Sequence, residues 1–332
     1  QLLETCLGSS TAGFVARVFC HPLDTSKARL QGPNGQGFRN TLHVLRVTLA
    51  EEGVWGLYRG FVAVAVGGTP GTCIYLTTYE VAKNMLEADA GTGQFGVHFT
   101  AGMVAETICC VVYVPVDVVK ERLQVQRSAS STGGLPQYTG TRNALGSILR
   151  TEGLWGIYKG YGATLASFGP FSALYFTFYE QAKATSQQLW EKRMPPWALG
   201  SKQACAVRKG FISTGEEGEG NGVELPFWVT LANAAGAGSL ASWITSPLDM
   251  AKLRLQVQRA SSSAAVTADT THQYTGMANV LARTYRLEGV RGLFRGAGAR
   301  VWFHAPSTAI TMATFEQAKR WWGALLGPQP GN

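Results

Sequence analysis

A chain of 332 residues is long enough for two ordinary domains, yet only 15% of it is charged, against about 25% in soluble domains, and 40 residues are glycine, as expected where helices pack closely in a bilayer. The net charge of +8 is spread over Lys and Arg at segment ends, with no basic stripe or aromatic-basic motif. That distribution argues against nucleic acid as a partner and for anionic lipid or an anionic solute.

In chain order, the first element is a helix whose small residues, Leu7-Gly8-Ser9-Ser10-Thr11-Ala12-Gly13, let a neighbour approach closely. It carries Arg17 midway, bends at Pro22 and runs to about Gln31. A Gly/Pro/Asn loop leads to an amphipathic stretch from Phe38 to about Glu52, with Leu42, Leu45 and Leu49 on one face. It is too short to span and is expected to lie along the membrane interface, ended by Glu52-Gly53. Gly56-Leu57-Tyr58-Arg59-Gly60 then opens a second helix, Phe61 to about Leu86, which closes on Tyr79-Glu80-Val81-Ala82-Lys83.

Every one of these features recurs. The second unit has Glu152-Gly153, Tyr158-Lys159-Gly160, Pro170 and Tyr179-Glu180-Gln181-Ala182-Lys183; the third has Glu288-Gly289, Phe294-Arg295-Gly296, Pro306 and Phe315-Glu316-Gln317-Ala318-Lys319. Charge-free runs from Gly60 to Tyr79, Gly160 to Tyr179 and Leu225 to Leu248 each reach about 20 residues, the length that crosses a bilayer. The chain therefore divides into repeats at 1–90, 91–187 and 225–328, with an inserted loop at 188–224. The expected fold is all-α: six transmembrane helices in three pseudo-symmetric repeats, with short amphipathic helices on one side, around a central cavity. The inserted loop, with its basic Lys192-Arg193 and acidic Glu216-Glu217, reads as a solvated linker, the alternative being a docking element for a membrane complex.

The strongest pattern is the run that closes the first helix of each repeat: Pro22-Leu23-Asp24-Thr25-Ser26-Lys27, Pro115-Val116-Asp117-Val118-Val119-Lys120 and Pro247-Leu248-Asp249-Met250-Ala251-Lys252, each continuing to a basic residue and Leu-Gln. Asp and Lys three apart share nearly one helix face. Three such helices around an axis set three carboxylates and three ammoniums in a ring, where each acid pairs with the base of the next copy and makes a closable gate. Surface pairs worth a few tenths of a kcal/mol each would not need a proline in register three times. The acid-base turns Glu80/Lys83, Glu180/Lys183 and Glu316/Lys319 form a second set at the opposite membrane face, so two gates bracket one cavity.

Ionisable residues midway along a spanning helix are functional candidates, because their uncompensated cost is several kcal/mol. Arg17 stands where the other repeats have Cys110 and Ser242, Glu106 where they have Gly13 and Gly238, and His304 where they have Gly68 and Phe168; Arg300 lies near the last. One cation and one anion suit a zwitterion such as an amino acid. Six cysteines show no metal spacing and are expected as small core residues, and no nucleophile-base-orienter set supports an enzyme.

These motifs resemble the mitochondrial carrier family over nearly the whole chain. The resemblance implies a multi-pass transporter of the mitochondrial inner membrane, whose Pro-x-Asp-x-x-Lys ring is a matrix gate braced by Gln31, Gln124 and Gln256. The Glu-x-x-Lys set becomes a cytoplasmic gate braced by Tyr79 and Tyr179, with Phe315 in the third tyrosine's place. It further implies substrate contacts at Gly67-Gly68, Ser167-Phe168 and Phe303-His304. No cofactor is implied other than bound cardiolipin, at Tyr58-Arg59-Gly60, Tyr158-Lys159-Gly160 and Phe294-Arg295-Gly296 with Tyr138-Thr139-Gly140 and Tyr274-Thr275-Gly276; in the first repeat Phe38-Arg39-Asn40 departs from the latter motif. Within the family, Arg17-Val18, Thr77-Thr78-Tyr79-Glu80 and Ser172-Ala173 are similar to the branched-chain amino-acid carrier branch, the Pro306 helix to mitoferrin and Glu106 to S-adenosylmethionine carriers. The alternative function is a carrier fold retired from transport and kept as a structural subunit of an inner-membrane complex.

Overall fold

The computed structural model describes residues 2–33, 35–88, 94–126, 138–193, 225–259 and 274–326, with the backbone alone at some helix ends and at Glu316. Each repeat is a long, a short and a second long element: α1 (Leu2–Gln31), α2 (Thr41–Leu57) and α3 (Phe61–Ala88); α4 (Gln94–Val125), α5 (Thr141–Ile157) and α6 (Tyr161–Arg193); then α7 (Phe227–Ile244) with α8 (Ser246–Val257), α9 (Met277–Leu293) and α10 (Ala297–Leu326). A helix of 30 residues such as α1 is about 45 Å long, enough to cross a bilayer with its headgroups. Two stretches, Phe61–Glu87 and Gly96–Val125, are long and apolar enough to be spans on hydropathy alone. In α1 and α10 the average is lowered by Arg17, Asp24, Lys27 and Arg300, which line a central cavity instead of facing lipid. The helix α6 runs through 188–193 into the expected inserted loop, whose remainder, 194–224 with Cys205, lies outside the described residues.

The expected bend at each proline takes two forms. Pro22 and Pro115 sit inside continuous helices, whereas the third repeat breaks at Thr245, so that Pro247 falls in the first turn of α8, where a missing N–H leaves no bond unmade. The expected stop at Glu52-Gly53 is a sharp kink: Gly53 has φ 69°, and a further helical turn carries α2 to Leu57. Leu42 and Leu49 face outward as expected of an interfacial helix, while Val44 and Thr48, on the other side, pack into the protein.

Neighbouring repeats meet where α3 packs on α4, α6 on α7 and α10 on α1. A tighter joint lies at the end that carries the short helices. Gly60, Gly160 and Gly296 hold φ of 80°, 82° and 84°, and a Cβ on them would sit 3.0 Å from Lys120 O, 2.8 Å from Gln256 Cγ and 2.7 Å from Gln31 Cγ. Each of these glycines therefore lets the next repeat's first helix come within backbone distance, in a conformation L side chains avoid. Gly60→Ala is expected to cost about 1–3 kcal/mol and lower the thermal unfolding midpoint in detergent by several degrees. Gly146→Ala, in a helix interior with nothing within 4 Å, is expected to be neutral or slightly stabilising.

Candidate functional site

At the bend of the long helices the three lysines reach across repeat boundaries. Lys120 Nζ lies 2.6 Å from Asp24 Oδ2, Lys252 Nζ 3.0 Å from Asp117 Oδ2 and Lys27 Nζ 2.6 Å from Asp249 Oδ2. Each acid is thus paired with the base of the next copy, and the ring closes on itself. Its links are unequal. Gln124 Nε2 donates to Asp24 Oδ2 at 3.2 Å, and Arg300 Nε adds a second cation 3.5 Å from Asp249.

Gln31 and Gln256 depart from the expected bracing. Both are fully buried, and among the described residues neither side-chain amide has a hydrogen-bond partner. Their stems fill the space under Gly296 and Gly160, so the glycine contact and not the ring fixes their direction.

Below the ring lies a second layer of ion pairs, absent from the sequence expectations. Arg29, Arg122 and Arg254, two residues past each lysine, are buried, and each pairs with the glutamate of its own repeat: Arg29 Nη2 with Glu52 at 2.9 Å, Arg122 Nη2 with Glu152 at 3.0 Å and Arg254 Nη1 with Glu288 at 2.8 Å. The same guanidinium donates to a carbonyl of the next repeat, Arg29 Nε to Gln124 O, Arg122 Nε to Gln256 O and Arg254 Nε to Gln31 O, at 3.0, 3.1 and 3.2 Å. The signal was present in sequence as a thrice-repeated Glu-Gly, but it reads there as a helix terminator.

The cavity above the ring has a volume of 440 Å³. Arg17, His304 and Arg300 line it, together with Ser307 and Thr311, which carry no sequence signal of their own. Arg17 Nη1 lies 3.4 Å from where a Cβ on Gly68 would be, so that glycine makes room for the guanidinium. His304 stacks on Phe171 of the second repeat, ring centroids 5.7 Å apart, and Arg300 lies over the same ring at 5.5 Å.

Other expected contacts stand elsewhere in this conformation. Gly67 is a helix-packing position against Val116, Ser167 is buried, and neither they nor Gly68 and Phe168 belong to the cavity lining. Glu106 is not on the lining either: Cys110 Sγ donates to its Oε1 at 3.4 Å on the same helix. Arg300 is more than a cavity residue, because its Nη1 donates to Ser242 O and Thr245 Oγ1 at 3.2 and 3.1 Å and so spans the break between α7 and α8.

At the opposite end, no ion pair joins two repeats among the described residues. Lys83 turns to Glu87 on its own helix at 3.8 Å, and Tyr79 Oη lies 2.8 Å from His98 Nδ1. Tyr179 stacks on Tyr175, Glu180 and Lys183 are exposed, and Gly8 packs against the Lys319 backbone. The Glu316 side chain lies outside the described residues.

The residues expected at lipid sites have protein partners as well. Tyr58 and Tyr158 donate their hydroxyls to Val18 O and Val111 O, both at 3.0 Å, and Phe294 packs on Trp243. Arg59, Lys159 and Arg295 join Glu52, Glu152 and Glu288 at 3.3, 2.7 and 2.7 Å. Tyr138 and Tyr274 are buried, their backbone N–H groups held by Gln126 and Gln258. Gly140 and Gly276 cap α5 and α9 without a side-chain bond, whereas Asn40 caps α2 with its own side chain, accepting from His43 N at 2.8 Å.

A barrel of three helical repeats around a polar cavity, shut at one end by a ring of inter-repeat ion pairs, is the architecture of a membrane transporter. The family model described as mitochondrial carrier protein matches residues 1–90, 91–189 and 223–325, and the chain belongs to that family. It is 32% identical to mitochondrial substrate carrier family protein E of Dictyostelium discoideum, over 94% of each chain. It is 31% identical to the mitochondrial S-adenosylmethionine carrier protein of Xenopus tropicalis over 95% of this chain and 92% of that one, and 29% identical to mitoferrin of Dictyostelium discoideum over 94% and 92%. The protein is accordingly a multi-pass solute transporter of the mitochondrial inner membrane.

Burial raises the Glu152 carboxyl, but its bonds to Arg122 and Lys159 outweigh that and hold it at about 2. A depressed acid stabilises the fold fully above its ordinary value of 4.5 and loses that contribution as pH falls toward about 2. Glu152→Gln, which strands a buried guanidinium, is expected to cost about 3–5 kcal/mol at pH 7. In thermal unfolding of the detergent-purified protein, the gap between the two proteins is expected to narrow below about pH 4.5, as Glu152 of the unfolded chain takes a proton while that of the folded protein holds out to about pH 2.

Proposed function

We propose that the protein carries a small polar metabolite bearing a carboxylate or phosphate, by alternately closing its two ends around the central cavity. The observation that supports this most is the charge of the cavity wall. Of its five Lys and Arg residues, Lys27, Lys120, Lys252 and Arg300 each lie within 4 Å of a ring carboxylate, whereas Arg17 is in no ion pair among the described residues. A guanidinium left unpaired in a confined, partly desolvated space is held there at a cost that an anionic ligand group removes. An amino-acid substrate needs a second, anionic contact; Glu106 supplies that only by turning from Cys110 toward the cavity.

Closure of the ring on the matrix side, with no ion pair between repeats at the opposite end among the described residues, corresponds to the state that admits solute from the cytoplasmic side. Opening requires the three lysines to part from their acids, and the Glu80, Glu180 and Glu316 set with Lys83, Lys183 and Lys319 is the counterpart that then closes. The relatives include an S-adenosylmethionine carrier and a mitoferrin, which supports transport and leaves the choice of cargo to the cavity. We also propose cardiolipin headgroups at the uncapped N-termini of α5 and α9, where free N–H groups favour an anion.

The test is a thermal-shift screen of purified protein against small carboxylates, phosphate esters and amino acids, followed by uptake of the hits into liposomes. Arg17→Ala is expected to weaken binding of an anionic hit about ten- to a hundredfold, with folded yield retained, and Arg17→Lys to recover part of it. An Arg17→Ala protein with unchanged KM for every hit would make Arg17 a structural charge and end this reading.

A further inference from the structure

The ring contains a fourth carboxylate. Glu121 follows Lys120 directly, at a position where the first and third repeats have Ala28 and Leu253. It lines the cavity, its Oε1 lies 3.3 Å from Lys120 Nζ, and its Oε2 is buried with no hydrogen-bond partner among the described residues. Lys120 thus has two acceptors: Asp24 on α1 at 2.6 Å and Glu121 on its own helix.

That difference matters when the ring opens. If α4 moves away from α1, Lys120 leaves Asp24 behind, and an ammonium stranded out of bulk water costs several kcal/mol. Glu121 travels with Lys120 and keeps it paired, whereas Lys27 and Lys252 have only an apolar neighbour at the corresponding position. Resting on the gate reading above, we propose that Glu121 is a positioning residue that holds Lys120 in the ring-open state, so that proton uptake by Glu121 shifts the carrier toward the ring-closed state.

Several charged groups face Glu121: Lys120 and Asp117 on α4, Asp24 and Lys27 on α1, and Lys252 on α8. His21, a second titratable group on α1, also lines the cavity, so the test has to separate the two.

A cysteine introduced as Thr311→Cys, on the cavity wall and in a background free of native cysteines, reports ring-closed protein by its rate of reaction with an impermeant maleimide added from the side opposite the ring. The rate is taken as a ratio to that of the same protein carrying Glu121→Gln at each pH, which cancels both the thiol's own titration and any contribution of His21. The ratio is expected to be about one-fifth at pH 7.5, the weight of one partly exposed ion pair, and to rise toward one as the pH falls. Glu121→Leu, the residue type at Leu253, replaces Glu121→Gln if that variant does not fold. A ratio flat with pH overturns the proposal. Lys120→Ala with Lys252→Ala, which removes two ring links, must slow labelling; if it does not, the gate reading itself fails, whatever Glu121 does.

Discussion

Three buried guanidiniums hold this molecule together. Arg29, Arg122 and Arg254 each need a negative partner, since an unpaired charge out of water costs several kcal/mol, and each finds it in the glutamate of its own short helix. Each also donates its Nε to a carbonyl at the end of the next repeat's long helix, a group that has no partner within its own helix. One side chain therefore fixes the short helix against its own repeat and that repeat against its neighbour. The glycines at 60, 160 and 296 set how close that neighbour can come.

On this frame the ion-pair ring is a weaker and more exposed layer, which suits a part that has to open. Its asymmetry follows from Glu121 and Arg300, each found in one repeat only, and from Gln124, which reaches the ring where Gln31 and Gln256 do not. Asp24–Lys120 has Gln124 and Glu121 beside it and Lys27–Asp249 has Arg300, while Asp117–Lys252 has the longest separation of the three. The seam between the second and third repeats is thus the least reinforced.

Much of this was legible in the sequence because repetition supplies what a single copy cannot. An Asp and a Lys three apart fix a shared helix face, and a threefold arrangement leaves the neighbouring copy as the only partner in reach. What repetition does not supply is the direction of each side chain around its helix axis. Gln31 and Gln256 match Gln124 in sequence yet turn under glycines, and Gly67 and Glu106 sit at positions of the right depth but face a neighbouring helix or their own turn. Arg300 reads as a lone mid-span cation, and its tie at the α7–α8 break depends on Thr245, where the continuous α1 and α4 have Cys20 and Tyr113. The Arg–Glu layer is hidden in the sequence for a different reason: Glu-Gly is also an ordinary helix ending, so local chemistry masks a long-range contact.

The central claim is that ring residues of successive repeats act as partners across a boundary that opens and closes. Reversing the charges at the least reinforced link tests this directly, by solute exchange into liposomes for Asp117→Lys, Lys252→Asp and the double reversal. Each single reversal sets two like charges about 3 Å apart and is expected to abolish most exchange, while the double reversal restores the pair and is expected to recover a substantial part. A double reversal no more active than the single ones would contradict the account, since two residues that fail independently are not a gate.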